Sequence, residues 1–363
     1  MKAKMIKHFA IVLALTLAAC AHATEWDLKS LPQYKPQQQV SGTIRMGGAQ
    51  MAGLVVIWEN AFKKLQPGVQ FSNDLPSSDV AMAAMMIGSA DIAPSGREPA
   101  LEEVLGFTEK YLHDVTPIIV GSGAWNTPGG SSWSPVVFVS QDNPITKLTM
   151  KQLDGIFGAQ RTGGYEENSA LFVARNARGP ERDIRTWGQL GLTGEWKDKP
   201  IQTYGYSHTG MRHFFELRVF GGGDKWNPNY REYAETGTKM VPDGAHTGSH
   251  DMLVELSHDK YGIGWSGNGH AASVPGLKAI ALAAEDGGPY FDPTERNLQT
   301  HDYPLSRNVF MYINRAPGAP LDPKLKEFLS FILSQEGQDI LAHNGLHLPL
   351  PEQTLLAQRK KLE

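Results

Sequence analysis

One cysteine, Cys20, is all the sequence contains, so no intramolecular disulfide can form and packed cores must supply the stability. Long hydrophobic runs are also scarce. Beyond residues 9–19 none approaches the roughly 20 apolar residues that a membrane-spanning helix needs. Positive charge is in deficit: 34 Lys and Arg stand against 38 Asp and Glu, a formal charge of −4. Without residues 1–23, which hold three lysines and no acid, it becomes −7. No basic stripe interrupts this acidity, which excludes nucleic acid as a partner, and any small anion has to be held by local groups against the overall field. Internal repeats and low-complexity tracts are absent as well.

The chain opens with Lys2, Lys4 and Lys7 ahead of an apolar stretch from Phe9 to Ala19, the charge and length pattern of a secretory signal. Two processing readings overlap. Leu17-Ala18-Ala19-Cys20 fits a lipoprotein signal that would acylate Cys20, and Ala21-His22-Ala23 fits cleavage before Thr24. Both place the mature protein outside the cytoplasm, in the bacterial periplasm, and only the first anchors it to a membrane.

About 340 residues then remain, more than one core usually serves, which predicts two domains. The pattern from Thr43 is a short strand, a helix over Leu54–Leu65 ended by Pro67-Gly68, and a strand at Val69–Phe71. Ser77-Ser78-Asp79 can cap a helix through Ala81–Ile87, and Ala90–Ala93 reads as a strand closed by Pro94. The cycle restarts with a strand at Pro135–Val139 and a helix over Met150–Phe157 capped by Thr149. Ile201–Tyr204 is a strand, Gly210–Val219 a helix, and Tyr261–Trp265 a strand whose glycines imply close backbone approach. Val309–Ile313 is a strand, and Pro323–Ala342 one amphipathic helical stretch. Such alternation predicts an α/β fold with mostly parallel sheets flanked by helices.

Three loops share one design, small polar residues between a strand and a helix start: Gly47–Met51, Leu75–Asp79 and Tyr206–Met211, with Gly244–Asp251 as a fourth candidate. Helix starts leave N–H groups unpaired and carry partial positive charge, so several converging on a cleft would hold an oxyanion. Each contributes only roughly 0.3–2 kcal/mol. Arg97, in the run Asp91-Ile-Ala-Pro-Ser-Gly-Arg97, would add a charge-assisted and bidentate contact of about 1.5–3 kcal/mol. Taken singly, a polar loop is usually just a cap and an arginine usually a surface residue, so convergence is what matters. His246, His250, His258 and His270 show no spacing of a metal centre, and Ser266-Gly267-Asn268-Gly269-His270 is no nucleophile elbow. Neither metal, cofactor nor catalytic residue is expected.

The residues that carry a resemblance are Ala90–Glu98, Asp142-Asn143-Pro144 with Leu148–Gly158, Thr186–Trp196, Tyr261–Trp265, Tyr303-Pro304-Leu305-Ser306-Arg307, and Glu327–Leu329 continuing to Ser334–Gln338. In their order and spacing the chain resembles bacterial periplasmic phosphate-binding proteins, the solute receptors of phosphate ABC transporters, within the type II periplasmic binding protein superfamily. The resemblance implies two lobes with the ligand cleft between them: residues 24–135 and 300–363 in lobe 1, 136–299 in lobe 2, with hinges near Ser134–Val137 and Asp286–Asp302. It places ligand contacts at Ala49, Gln50 and Met51, at Ser77 and Ser78, at Ser95 and Arg97, and at Thr209, Gly210 and Met211. His208, Arg212 and Ser249 are further candidates. Tyr206 stands roughly where the family carries an arginine, and Gly96 where it carries the carboxylate that accepts the proton of hydrogen phosphate and so rejects sulfate. Asp79 or Asp91 could stand in for it. The implied protein is a monomer that binds phosphate or a similar tetrahedral oxyanion and delivers it to an ABC permease. An exported anion sensor without a transport role is the alternative, and a phosphate-ester hydrolase a third reading.

Overall fold

The computed structural model describes residues 26–125, 132–207, 210–235, 238–241 and 244–363. The leader with Cys20, and the candidate residues His208 and Thr209, lie outside that range. Two five-stranded sheets, each with its own core, organise the described residues.

The first begins with β1 (Ser41–Gly47), α1 (Leu54–Leu65), β2 (Gly68–Asp74), α2 (Ala81–Ile87), β3 (Ile92–Ser95), α3 (Leu101–Tyr111) and β4 (Thr116–Ser122). In α1 the apolar residues Leu54, Val55, Trp58 and Phe62 share one buried stripe, and Trp58 Nε1 donates to the Gly337 carbonyl at 2.8 Å. β1 runs parallel to β2 in a seven-residue register from Ser41 opposite Gly68 to Gly47 opposite Asp74, and parallel to β3 at Met46 and Ile92. Those three strands therefore end at the same edge.

The second sheet holds β5 (Pro135–Ser140), β6 (Gln202–Tyr206), β7 (Arg231–Tyr233), β8 (Gly262–Gly267) and β9 (Leu277–Ala279), with α4 (Met150–Phe157), α5 (Gly210–Val219) and α6 (Gly248–His258) among its helices. Thr149 caps α4 as expected, its hydroxyl accepting from Gln152 N at 3.2 Å. Phe215 stacks on Trp265 with centroids 4.8 Å apart, and Tyr206 meets Trp265 edge-on at 5.0 Å. A Cβ at Gly264 would come within 3.0 Å of Leu256 and 3.1 Å of Tyr204, the close approach the glycine-rich strand implied. The chain then returns to the first sheet as β10 (Asn308–Ile313), followed by α7 (Pro323–Ile332), α8 (Gln335–Asn344) and α9 (Glu352–Lys360).

The strand orders are β2-β1-β3-β10-β4 and β7-β6-β8-β5-β9. The sheets are mixed, which corrects the expectation of mostly parallel ones. β10 lies antiparallel to both β3 and β4, and β5 antiparallel to both β8 and β9. A helical crossover forces parallel pairing only between the strands it joins directly; β10 arrives from the other sheet and is free of that constraint. Three smaller expectations also change. Pro94 sits inside β3, opposite Met311, and does not close it. The stretch 323–342 is two helices, because Ser334 caps α8 through Gly337 N. Gly244–Asp251 is not a loop: Gly244–Thr247 is a strand paired antiparallel with Thr238–Val241, and Thr247 caps α6. No helix of the described residues is long and apolar enough to cross a membrane.

Candidate functional site

Strands that end together deliver their loops together, and ligands of open α/β sheets bind at such carboxyl ends. The loops after β1, β2 and β3 are stitched to one another. Ala49 N donates to the Pro94 carbonyl at 2.8 Å and forms an isolated bridge with Pro76. Ser78 Oγ accepts from Gly96 N at 3.0 Å. Gly48 has φ 154° and a Cβ there would fall 2.2 Å from the Pro94 carbonyl oxygen, so only glycine lets these two loops touch. Met51 and Ala52 both hold left-handed conformations, φ 51° and 53°, ahead of α1, and side-chain-bearing residues adopt that region only where their surroundings impose it. Met51 is buried and Gln50 exposed.

Ser77 caps the turn before α2, accepting from Asp79 N at 3.2 Å. Ser95 is buried; its hydroxyl donates to the Arg97 carbonyl at 2.8 Å and accepts from Arg97 N at 3.2 Å. The Arg97 guanidinium already has partners. Nη1 and Nη2 meet Glu103 in a two-point contact at 2.7 and 2.9 Å, Nη1 also reaches the Glu98 carbonyl at 3.0 Å, and Nε lies 3.1 Å from Asp79. Burial works against its charge, but Glu103 and Asp79 outweigh it and hold the group above its ordinary pKa. One Nη2 proton is left without an acceptor among the described residues. Asp91 faces elsewhere, bound to Arg45 at 2.5 Å and tying β3 to β1.

The second sheet contributes the start of α5. A Cβ on Gly210 would meet Arg97 Cδ at 2.7 Å, so the helix start rests on the arginine stem. Met211 is buried, and its sulfur contacts Arg307 Nη1. His213 Nε2 lies 2.9 Å from the Pro99 carbonyl oxygen. Beside this junction lies a cavity of about 1030 Å³, lined from both halves by Asp79, Arg97, Glu103, Arg161, His213 and Glu235 among others. Of the described candidates only Arg97 and Gly210 line this cavity; Arg212 pairs with Glu216 at 3.1 Å and covers Trp226, and Ser249 is buried with its hydroxyl on the Glu235 carbonyl at 2.8 Å.

Residues 35–336 match a family model described as a PBP superfamily domain. Over 324 residues, 89% of this chain and 87% of the relative, the sequence is 32% identical to the phosphate-binding protein PstS of Pseudomonas aeruginosa. The chain belongs to the PstS-like family of the PBP superfamily. The phosphate-binding protein PstS of Staphylococcus aureus is 26% identical over 182 residues, 49% of each chain. Solved structures show the same fold: PstS from Borrelia burgdorferi, at TM-score 0.53 and 16% identity over 86% of this chain and all of that one, and an ABC-type phosphate transport receptor from Vibrio cholerae, at 0.51 and 19% over 84% and all of that chain.

Against the PstS-like pattern, Tyr206 is a core residue. It is fully buried, with its hydroxyl 2.6 Å from Ser266 Oγ, and burial pushes the phenol far up. A Cβ at Gly96 would fall 1.7 Å from Ser132 Oγ and 2.9 Å from Ser132 Cβ, so a side chain there requires Ser132 to move. Gly96→Asp should therefore lower stability by about 1–3 kcal/mol through overpacking, read as a drop in the urea midpoint. Two charged residues that sequence reasoning did not single out, Glu98 and Arg307, meet in the interior beside Arg97 and α5. Both are buried, with Arg307 Nη2 3.5 Å from Glu98 Oε2. Arg307 stands directly before β10, whose six residues are all buried. A charge abutting such a strand was the available signal. Among the described residues no group of three or more His, Cys, Asp or Glu is arranged to hold a metal ion.

Proposed function

We propose that this PstS-like protein is the extracytoplasmic solute receptor of an ABC transporter and captures inorganic phosphate or a closely similar tetrahedral oxyanion. The observation that carries this reading is the meeting of three strand-end loops of the first sheet with the start of α5 of the second, with Arg97 between them. The N–H groups of residues 50–51, the Ser78 hydroxyl, the helix start at Gly210 and Met211, and the remaining Nη2 proton of Arg97 supply donors to an anion from both halves of the molecule. The names of the relatives in Pseudomonas and Staphylococcus point to phosphate among such anions.

The lobes are residues 24–135 with 300–363, and 136–299, hinged where the chain passes between sheets. Because donors come from both, the ligand shell is complete only when the lobes are together. Affinity for the closed state then drives closure, and the closed surface is what a permease reads. Small-angle scattering of the protein freed of ligand and then saturated with phosphate should show a smaller radius of gyration in the second state. Unchanged dimensions at saturation would count against closure. Arg97→Met should weaken phosphate binding by about 10- to 100-fold, the range of a charge-assisted hydrogen bond, measured by calorimetry.

A further inference from the structure

We propose that the hairpin Gly164–Val173 is a clasp between the two halves of the molecule: Asn168 at its tip docks on the Tyr312 hydroxyl when the cleft closes, and this contact slows ligand release. The inference rests on the closing-receptor reading and adds to it a residue pair that acts through closure.

The hairpin is short and stiff. Gly164 and Tyr165 pair antiparallel with Val173 and Phe172, and Glu166 N donates to the Leu171 carbonyl at 3.0 Å. Ser169 N donates to the Glu166 carbonyl at 3.2 Å, which makes Glu166–Ser169 a β-turn with Asn168 in third place. Asn168 has φ 58°, a left-handed conformation that asparagine tolerates in turns.

Its base is fixed to the half that carries α5. Tyr165 N donates to the Gly222 carbonyl at 3.1 Å. A Cβ on Gly164 would fall 2.2 Å from the Gly221 carbonyl oxygen, and one on Gly222 1.9 Å from that of Tyr165, so backbone lies directly on backbone. Glu167 pairs with Arg218 of α5 at 3.1 Å. The hairpin therefore moves with α5 and the second sheet.

The tip reaches the first sheet. Tyr312 belongs to β10, is 1% exposed, and its ring stacks on Phe310 with centroids 5.2 Å apart. Its hydroxyl lies 3.2 Å from Asn168 Oδ1 and 3.4 Å from the Arg97 carbonyl oxygen. The one phenolic proton thus has an acceptor on each side of the cleft. When the halves part, the hydroxyl keeps the Arg97 carbonyl and the Asn168 amide returns to water. Opening leaves no buried group unpaired at this contact, so it can be made and broken at low cost.

The clasp is placed to report on ligand capture. Asn168, Tyr165 and Phe172 line the same cavity as Arg97 and Glu103. Two contacts between the halves fall on Arg97, Gly210 against its stem and the Tyr312 hydroxyl at its carbonyl. Closure around an anion at Arg97 makes both together. A contact formed after encounter lowers the dissociation rate and leaves the association rate unchanged.

The test compares wild type, Tyr312→Phe, Asn168→Gly and the double variant; glycine at 168 keeps the turn conformation. Phosphate affinity is measured by calorimetry, and release by chasing bound radiolabelled phosphate with unlabelled phosphate. Each single variant should bind about 2- to 10-fold more weakly, the value of one neutral hydrogen bond, with the loss in the release rate. The double variant should lose no more than the weaker-binding single one, because both substitutions remove the same contact. A folded single variant with wild-type affinity and release rate overturns the clasp, and so do losses that multiply in the double variant. Should Tyr312→Phe not fold, Asn168→Gly alone decides by the same criterion. Failure of wild type to bind phosphate overturns the receptor reading, and the clasp with it.

Discussion

Replacing Arg307 by alanine should lower unfolding stability by about 3–5 kcal/mol, because it leaves the Glu98 carboxylate buried without a countercharge. The side chain also packs over Phe214 and touches Met211, so part of the loss is contact area. The two contributions separate in a double-mutant cycle. Adding Glu98→Gln to Arg307→Ala should restore a large part of the loss, since the uncompensated charge is then gone. Urea unfolding followed by tryptophan fluorescence measures both. An Arg307→Ala protein as stable as wild type would show that the pair is solvated, contrary to its burial.

Acid should destabilise the protein well before general carboxylate protonation. His347 is buried with neither ring nitrogen hydrogen-bonded among the described residues, and desolvation draws its pKa from 6.5 to about 4. His301 is drawn to about 4 as well, first by burial and then by Arg218, against Asp302. Both flank the end of β4: His301 Nε2 lies 2.9 Å from Ser122 Oγ, and Leu348, next to His347, exchanges backbone hydrogen bonds with Ser122. A histidine whose folded pKa is lowered stabilises the native state above its unfolded pKa. That contribution disappears as pH falls from about 6.5 towards 4, because the unfolded chain takes up the proton first. For His347 it amounts to about 3 kcal/mol. Thermal unfolding across this window should show a falling Tm that His347→Leu substantially flattens. A wild-type Tm constant between those values would contradict the burial argument.

Local signals carried far in this sequence, and non-local ones did not. The helices Leu54–Leu65, Met150–Phe157 and Gly210–Val219 have the limits their patterns imply, because a Pro-Gly stop, a Thr cap and apolar spacing act within a few residues. The direction of β10 was not legible: it depends on where the chain re-enters the first sheet, almost two hundred residues after it left. The convergence of Ala49, Ser78 and Gly96 follows from three parallel strands ending together, which the strand-helix-strand rhythm did imply. Arg97 shows the limit. Its composition and place suggested a free cation, whereas Glu103, in the first turn of the next helix, takes its fork. The Glu98 and Arg307 pair spans more than two hundred residues of sequence, and no spacing rule connects them. Their meeting is a product of topology, since β10 is placed directly beside β3.

The proposed function is oxyanion capture between the two halves of the molecule. Its most direct test is calorimetric titration of orthophosphate into protein unfolded, dialysed free of anion and refolded. One saturable site per chain, weakened about 10- to 100-fold in Arg97→Met, is the predicted result. The absence of any saturable binding of phosphate by the refolded wild-type protein would contradict it.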